Sequence, residues 1–161
     1  MLVLDTHALI WANAGIRIPK KIVRRIMTAG ADNALFVSAI TPWEIALGVK
    51  RGRIRLAGDV LVWLHDACEA MSVAIASLEP AIAVDAVNLP AWEHADPSDR
   101  LIVATARRLG AHLVTADSAI LEYAETSARS KSSRSDCRPR RGRRVRMMAG
   151  HGHRAGAHTC G

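Results

Sequence analysis

The chain has 161 residues, half of them apolar, with 22 Lys+Arg against 15 Asp+Glu and a formal charge of +7. This length fits one domain with an appended tail, and the apolar share is enough for a packed core. No apolar run reaches the roughly 18 residues of a membrane span, and no basic leader precedes the first apolar run, so neither a membrane anchor nor an export signal is expected.

The first element is a short apolar strand, Leu2–Leu4, of the kind buried in parallel sheets. Asp5 or Thr6 can cap a helix through Ala8–Asn13. Pro19 opens a second helix, Lys20 to Ala29, with Ile22, Val23 and Ile26 on one face. Gly30 and Asn33 break it, and Leu35–Ser38 reads as the second strand. Thr41-Pro42 has the form of an N-cap with proline at N1 and starts a helix to about Lys50, ended by Gly52. Gly58-Asp59 starts another, to about Cys68. Ser72–Ile75 is a weak third strand, and Glu79–Val87 is an alanine-rich helix stopped before Pro90. Pro97 follows Asp96 at the start of a helix running to Leu109, with Gly110 as its C′ residue. His112–Thr115 is the fourth strand, and Asp117 caps a last short helix to Tyr123. The alternation of strand and helix predicts an α/β fold, a three-layer α/β/α sandwich on a central parallel sheet.

The sequence changes character near Ser127. Residues 1–126 hold 12 Lys+Arg and 14 Asp+Glu, a balance of −2, whereas residues 127–161 hold 10 Lys+Arg and one acid, Asp136, a balance of +9. The basic total therefore belongs to the tail and does not mark the body as a nucleic-acid binder. Two domains of unlike character result: a folded unit, 1–126, and a basic tail, 127–161, whose Arg/Ser/Gly/His composition without apolar periodicity predicts disorder. His151, His153, His158 and Cys160 are read as tail composition rather than a metal site. Three scattered cysteines, Cys68, Cys137 and Cys160, make a poor disulfide framework and fit a reducing cytoplasm.

A sheet of this kind should close with a strand after the last helix, and none is visible. Read from the third base of each codon, with Arg as CGN and Ser as TCN, the run Ala128–Arg134 encodes a small residue, an aliphatic or Phe, a Lys, Gln or Glu (or a stop), Val or Ile, another aliphatic or Phe, and a small residue. This is the signature of a strand in another frame, and it predicts a slip of the reading frame near residues 124–128.

Four carboxylates fall where such a fold can gather them. Asp5 ends the first strand and Asp117 follows the fourth. Glu44 rides on the helix after the second strand, and Asp99 lies in Asp99-Arg100-Leu101-Ile102-Val103-Ala104. Open parallel sheets bind ligands outside the carboxyl ends of their strands. Acids collected there repel one another unless a cation joins them, and a hard divalent metal suits an all-oxygen donor set. Singly, each acid has an ordinary reading. Asp5 and Asp117 are N-caps, Glu44 is a solvated helix residue, and Asp99 is a first-turn acid favoured by the helix dipole.

These segments also carry a family likeness. Leu2-Val3-Leu4-Asp5-Thr6-His7-Ala8-Leu9-Ile10-Trp11 resembles the opening of PIN-domain proteins, especially the VapC-type toxins of prokaryotic toxin–antitoxin pairs. Ser38-Ala39-Ile40-Thr41-Pro42-Trp43-Glu44-Ile45-Ala46 resembles the second family motif. The third is matched by His94-Ala95-Asp96-Pro97-Ser98-Asp99-Arg100-Leu101-Ile102-Val103-Ala104, and the fourth by Val114-Thr115-Ala116-Asp117. The likeness spans about residues 1–124, in order.

The resemblance implies a PIN-like fold, here with its final strand lost, and a Mg²⁺- or Mn²⁺-dependent endoribonuclease. Asp5, Glu44, Asp99 and Asp117 become the catalytic, metal-binding acids. Thr115, Thr6 and Ser38 are supporting hydroxyls, and Asp96 ranks below Asp99. The implied partners are an RNA substrate, a cognate antitoxin with a basic segment suited to the acidic cleft, and a second copy of the chain.

Arg100 reads either as a phosphate-steering group or as a structural ion pair. His7 reads first as a surface or hydrogen-bonded histidine. At least two of Trp11, Trp43, Trp63 and Trp92 are expected in the core or a dimer contact rather than stacking on bases. The run Lys50-Arg51-Gly52-Arg53-Ile54-Arg55 reads as a solvated helix end first and an RNA-backbone contact second. The sequence contains neither a Walker A loop nor a Gly-x-Gly-x-x-Gly turn, which removes support for nucleotide-cofactor chemistry. The rival reading is a catalytically inactive PIN-like module that binds RNA or protein. A weaker one has the basic tail tethering the chain to nucleic acid.

Overall fold

The computed structural model describes residues 1–90, 92, 96–132 and 146–149, the backbone alone for 127–132 and 146–149. The strands are β1 (Leu2–Leu4), β2 (Leu35–Ser38), β3 (Ala74–Ala76), β4 (His112–Thr115) and β5 (Arg146–Ala149). They form one sheet in the order β3-β2-β1-β4-β5, and every pair is parallel. β1 is central, with Leu4 level with Val37 on one side and Val114 on the other. The chain winds from β1 through β2 to β3, then returns past β1 to β4. Strand order thus reverses between β1 and β4, the position at which open α/β sheets form a ligand crevice.

Side-chain alternation along the strands divides the core in two. Leu2, Leu4, Leu35, Val37 and Val114 face one layer, where they pack with Ala8 and Leu9 of α1 (Thr6–Ala14), Ile22 and Ile26 of α2 (Lys20–Ala31) and Leu64 of α4 (Val60–Met71). Val3 and Leu113 face the other. There they meet Ile102, Val103 and Ala106 of α6 (Pro97–Leu109) and Ile120 and Tyr123 of α7 (Ser118–Ser132). The helix α5 (Pro80–Val87) lies against α6 through Ile82, Ala86, Leu101 and Ala104. The helix α3 (Thr41–Lys50) packs on α1, α4 and α6 and so touches both layers.

Helix ends follow local chemistry. Asp59 accepts hydrogen bonds from the amides of Leu61 and Val62 at the start of α4. Gly110, with φ of 62°, ends α6 in the left-handed conformation that glycine adopts without strain. The start of α3 departs from expectation. Its N-cap position is Ile40, without a side-chain cap, and Thr41 is the first helical residue, fully buried. Pro42 still supplies a first turn that needs no amide proton.

The C-terminal part also departs from expectation. α7 does not stop at Tyr123 but runs to Ser132, and Arg146–Ala149 pairs in parallel with β4, His112 level with Arg146 and Thr115 level with Ala149. A strand therefore occupies the edge where the tail's composition predicted none. The reason is that a parallel edge strand is recruited by the open backbone of its neighbour, a demand of the sheet that polar composition does not reveal. The remainder of the predicted disordered tail, 133–145 and 150–161, lies outside the described residues, as does the tail histidine and cysteine group.

Candidate active site

The crevice at the strand reversal is built from the two loops that leave β1 and β4. Asp5 follows β1, and its amide donates to the Val114 carbonyl at 3.0 Å, which continues the ladder past the strand end. Its carboxylate is buried, at 3% exposure, and accepts a hydrogen bond from the Ala8 amide at 2.5 Å as the N-cap of α1. The capping role and a site role are thus not alternatives. The cap bond holds Oδ1 and fixes the direction in which the carboxylate points.

Thr115 is the second fixture. It is buried, its hydroxyl bonds the Asp5 side chain, and the same oxygen accepts the Asp117 amide at 2.9 Å. One hydroxyl therefore ties the ends of β1 and β4 together. Burial pushes the Asp5 carboxyl above its usual range, against the opposing pull of Thr115, the Ala8 amide and His7, and the charge on Asp117 adds to the rise. Asp117 caps α7, its Oδ1 accepting the amides of Ala119 at 2.8 Å and Ile120 at 3.1 Å.

Glu44 reaches this end from the first turn of α3, where the Thr6 hydroxyl donates to its Oε2. Asp99 lies in the first turn of α6. Its carboxyl is pushed up to about 7, first by desolvation and then by the charges on Asp117, Glu44, Asp96 and Asp5. That cause identifies the neighbourhood, since all four other acids act on one side chain. Asp117, Glu44, Asp96 and Asp5 therefore lie within electrostatic reach of Asp99. Among the described residues, however, no three His, Cys, Asp or Glu side chains are spaced to hold one metal ion directly.

The supporting positions divide. Thr6 and Thr115 each bond an acid. The buried Ser38 hydroxyl lies 3.1 Å from that of Thr105 on α6, which in turn donates to the Leu101 carbonyl, so Ser38 bonds the sheet to α6. Asp96 is the N-cap of α6. It is held below its usual range by the Ser98 hydroxyl and amide, at 2.7 and 2.9 Å, with a further contribution from Arg51. Arg100 turns to the end of α5, where it donates to the carbonyls of Ala86 (3.2 Å), Val87 (3.4 Å) and Trp92. Its donors serve as a helix C-terminal clamp, the role that cations play at that dipole end.

His7 is exposed and lies 5.7 Å from the Trp11 ring, over which the Arg17 guanidinium also sits. Trp92 stacks on Tyr123 at 4.5 Å and Trp63 packs against the core, whereas Trp43 is exposed beside Glu44. Two features escaped the sequence. Thr41 carries a buried hydroxyl without a partner among the described residues, and Arg51 lies close enough to Asp96 to act on its charge. Neither has a local signal, because each depends on how α3 lies across the other elements.

The fold agrees with the comparisons. The PIN domain family matches residues 2–126. Over 118 residues the chain is 38% identical to Ribonuclease VapC22 of Mycobacterium tuberculosis, covering 72% of this chain and 86% of that one. The chain belongs to the PIN-domain family, and within it resembles the VapC type. Among solved structures it is similar to FitAcB from Neisseria gonorrhoeae, with a TM-score of 0.50 and 23% identity over 76% of this chain and 93% of the other. A toxin–antitoxin complex from Klebsiella pneumoniae gives a TM-score of 0.49 at 23% identity, covering 73% and 87%.

Proposed function

We propose that this protein is a toxin endoribonuclease that hydrolyses RNA phosphodiester bonds with Mg²⁺ or Mn²⁺ held by Asp5, Glu44, Asp99 and Asp117. The observation that carries the reading is the buried Asp5 carboxylate at the β1–β4 reversal, fixed by the Ala8 amide, with Glu44 held beside it by the Thr6 hydroxyl. The donor set is all oxygen, which suits a hard cation. Mg²⁺ keeps several waters and takes one or two carboxylates directly, so acids too far apart for a closed cage still fit, the rest acting through water.

When bound, such a cation lowers the pKa of attacking water, neutralises phosphoryl oxygens and stabilises the leaving oxygen. The chain's own groups prepare the place. Thr115 and the Ala8 amide orient Asp5. Thr6 fixes Glu44. Burial, and then the charges of its neighbours, raise the Asp99 carboxyl, so an added positive charge favours its ionised form.

The toxin role rests on the likeness to Ribonuclease VapC22. A cognate antitoxin, a homodimer and a cytoplasmic location belong to the same proposal, the last supported by the dispersed cysteines. Among the described residues no helix is long and apolar enough to cross a membrane. The test is cleavage of RNA by the purified full chain in Mg²⁺, Mn²⁺ or EDTA. Cleavage with either metal, abolished by EDTA and restored by excess metal, is the expected result. Cleavage unaffected by EDTA sinks the metal assignment, and no cleavage in any condition favours the inactive binding module.

A further inference from the structure

The turn after α3 carries Lys50, Arg51, Arg53 and Arg55, all exposed, on a body that is otherwise slightly acidic. It is a built feature. The amides of Arg53 and Ile54 both donate to the Gly48 carbonyl, at 2.9 and 3.1 Å, and those of Arg51 and Gly52 donate to Leu47 and Val49. Gly52 supplies the left-handed residue, with φ of 69°. Ile54 folds back onto Gly48 so closely that a Cβ there would lie 2.4 Å from its Cδ1. Leu56 packs against the core. With Ile54 and Leu56 turned inward, Arg53 and Arg55 are left on the outside of a fixed loop.

The turn also comes within electrostatic reach of the start of α6, through the effect of Arg51 on Asp96, although it lies at the opposite end of α3 from Glu44. α3 begins with the turn bearing Glu44 and packs on α6, which begins with Asp96 and Asp99. Arg51 is near enough to Asp96 to act on its charge. The ordinary explanation, cations complementing the carboxyl end of a helix dipole, covers Lys50 and Arg51. It does not cover Arg53 and Arg55, because that effect fades within the last turn. Nor does any of the four form an ion pair among the described residues.

An RNA strand entering a crevice of carboxylates is repelled everywhere except at the cation. We propose that the Arg51–Arg55 turn is the RNA-backbone clamp of this protein, with Arg51, Arg53 and Arg55 binding phosphates that flank the scissile one. The inference rests on the nuclease reading for its substrate class. These arginines are positioning residues: they hold flanking phosphates and take no part in bond cleavage.

The experiment measures binding of a fluorescent 2′-O-methyl RNA of about 12 nucleotides to the full chain, as a function of salt. It compares the parent, the single variants R51Q, R53Q and R55Q, the triple variant, and R24Q/R25Q as a control. Arg24 and Arg25 line a separate pocket at the amino end of the sheet. Each clamp arginine lost should lower the salt slope by about 0.7, close to a fivefold loss in affinity at about 0.1 M salt. Arg→Lys replacements should retain the slope, and R24Q/R25Q should match the parent. In cleavage assays the loss should fall on KM, with kcat little changed.

An unchanged slope in the triple variant, including one dominated by the tail that all variants share, overturns the clamp. So does a loss of binding to a poly-glutamate peptide without a loss of RNA binding, which would make the turn a protein contact. The two readings fail separately. A parent that binds RNA through the turn but never cleaves it refutes the nuclease, and one that cleaves while the triple variant binds RNA normally refutes the clamp.

Discussion

Asp99 bears the electrostatic cost of the site most visibly. Its carboxyl is pushed up to about 7 from an ordinary 3.8, first by desolvation and then by four neighbouring charges. A raised carboxyl pKa means that the folded state holds the proton more tightly than the unfolded one. Its penalty is absent below the unfolded pKa, grows between about 4 and 7, and is complete above that. Asp99→Asn is therefore expected to stabilise the metal-free protein at about pH 8 by about 1–2 kcal/mol, a figure discounted for the solvent that reaches this side chain. The gain should disappear toward about pH 4. Thermal melts of parent and variant in EDTA across that range measure it, and an equal or lower melting temperature for the variant at alkaline pH contradicts the shared negative region.

At this scale the sequence was informative about position and less so about role. Asp5 and Asp117 could be placed at strand ends, but their double duty as helix caps and crevice acids needed coordinates. Arg100 shows where reading stops, since the α5 carbonyls it clamps are brought to it only by packing.

Elements were legible wherever capping and periodicity agreed. Asp59, Pro97 and Gly110 mark their helix boundaries by local rules, and the structure keeps them. Gly30 was read as a helix breaker and is not one. It lies inside α2, and a Cβ there would come within 2.4 Å of the Met71 carbonyl oxygen at the end of α4. Its demand is closeness between two helices, which no window of local sequence reveals. Because the opposing atom is backbone, Gly30→Ala must push α2 and α4 apart, and a loss of about 2–3 kcal/mol is expected. Chemical denaturation checks it, and a neutral or stabilising effect would mean that the two helices pack less tightly than described.

For the molecule as a whole, the parallel sheet follows from the alternation of strands and helices, whereas the strand order and the closing strand did not. The β4–β5 pairing uses residues that composition assigned to a disordered tail. Removing everything after Ser132 leaves β4 as an open edge beside the crevice. That truncation should lower the melting temperature by several degrees and promote association, consistent with the loss of about 1–2 kcal/mol from a chain of this size. An unchanged melt would return the tail to the status its composition gave it, and resequencing the gene across codons 124–134 tests the frame slip directly.

The account turns on whether the acids at the β1–β4 reversal hold a cation in common. Mn²⁺ binding followed by electron paramagnetic resonance on the full chain, parent beside Asp5→Asn and Asp99→Asn, addresses this most directly, with circular dichroism to confirm that each variant is folded. The account predicts saturable binding in the parent, weakened at least about tenfold by either substitution. Folded variants that bind Mn²⁺ as tightly as the parent would contradict it.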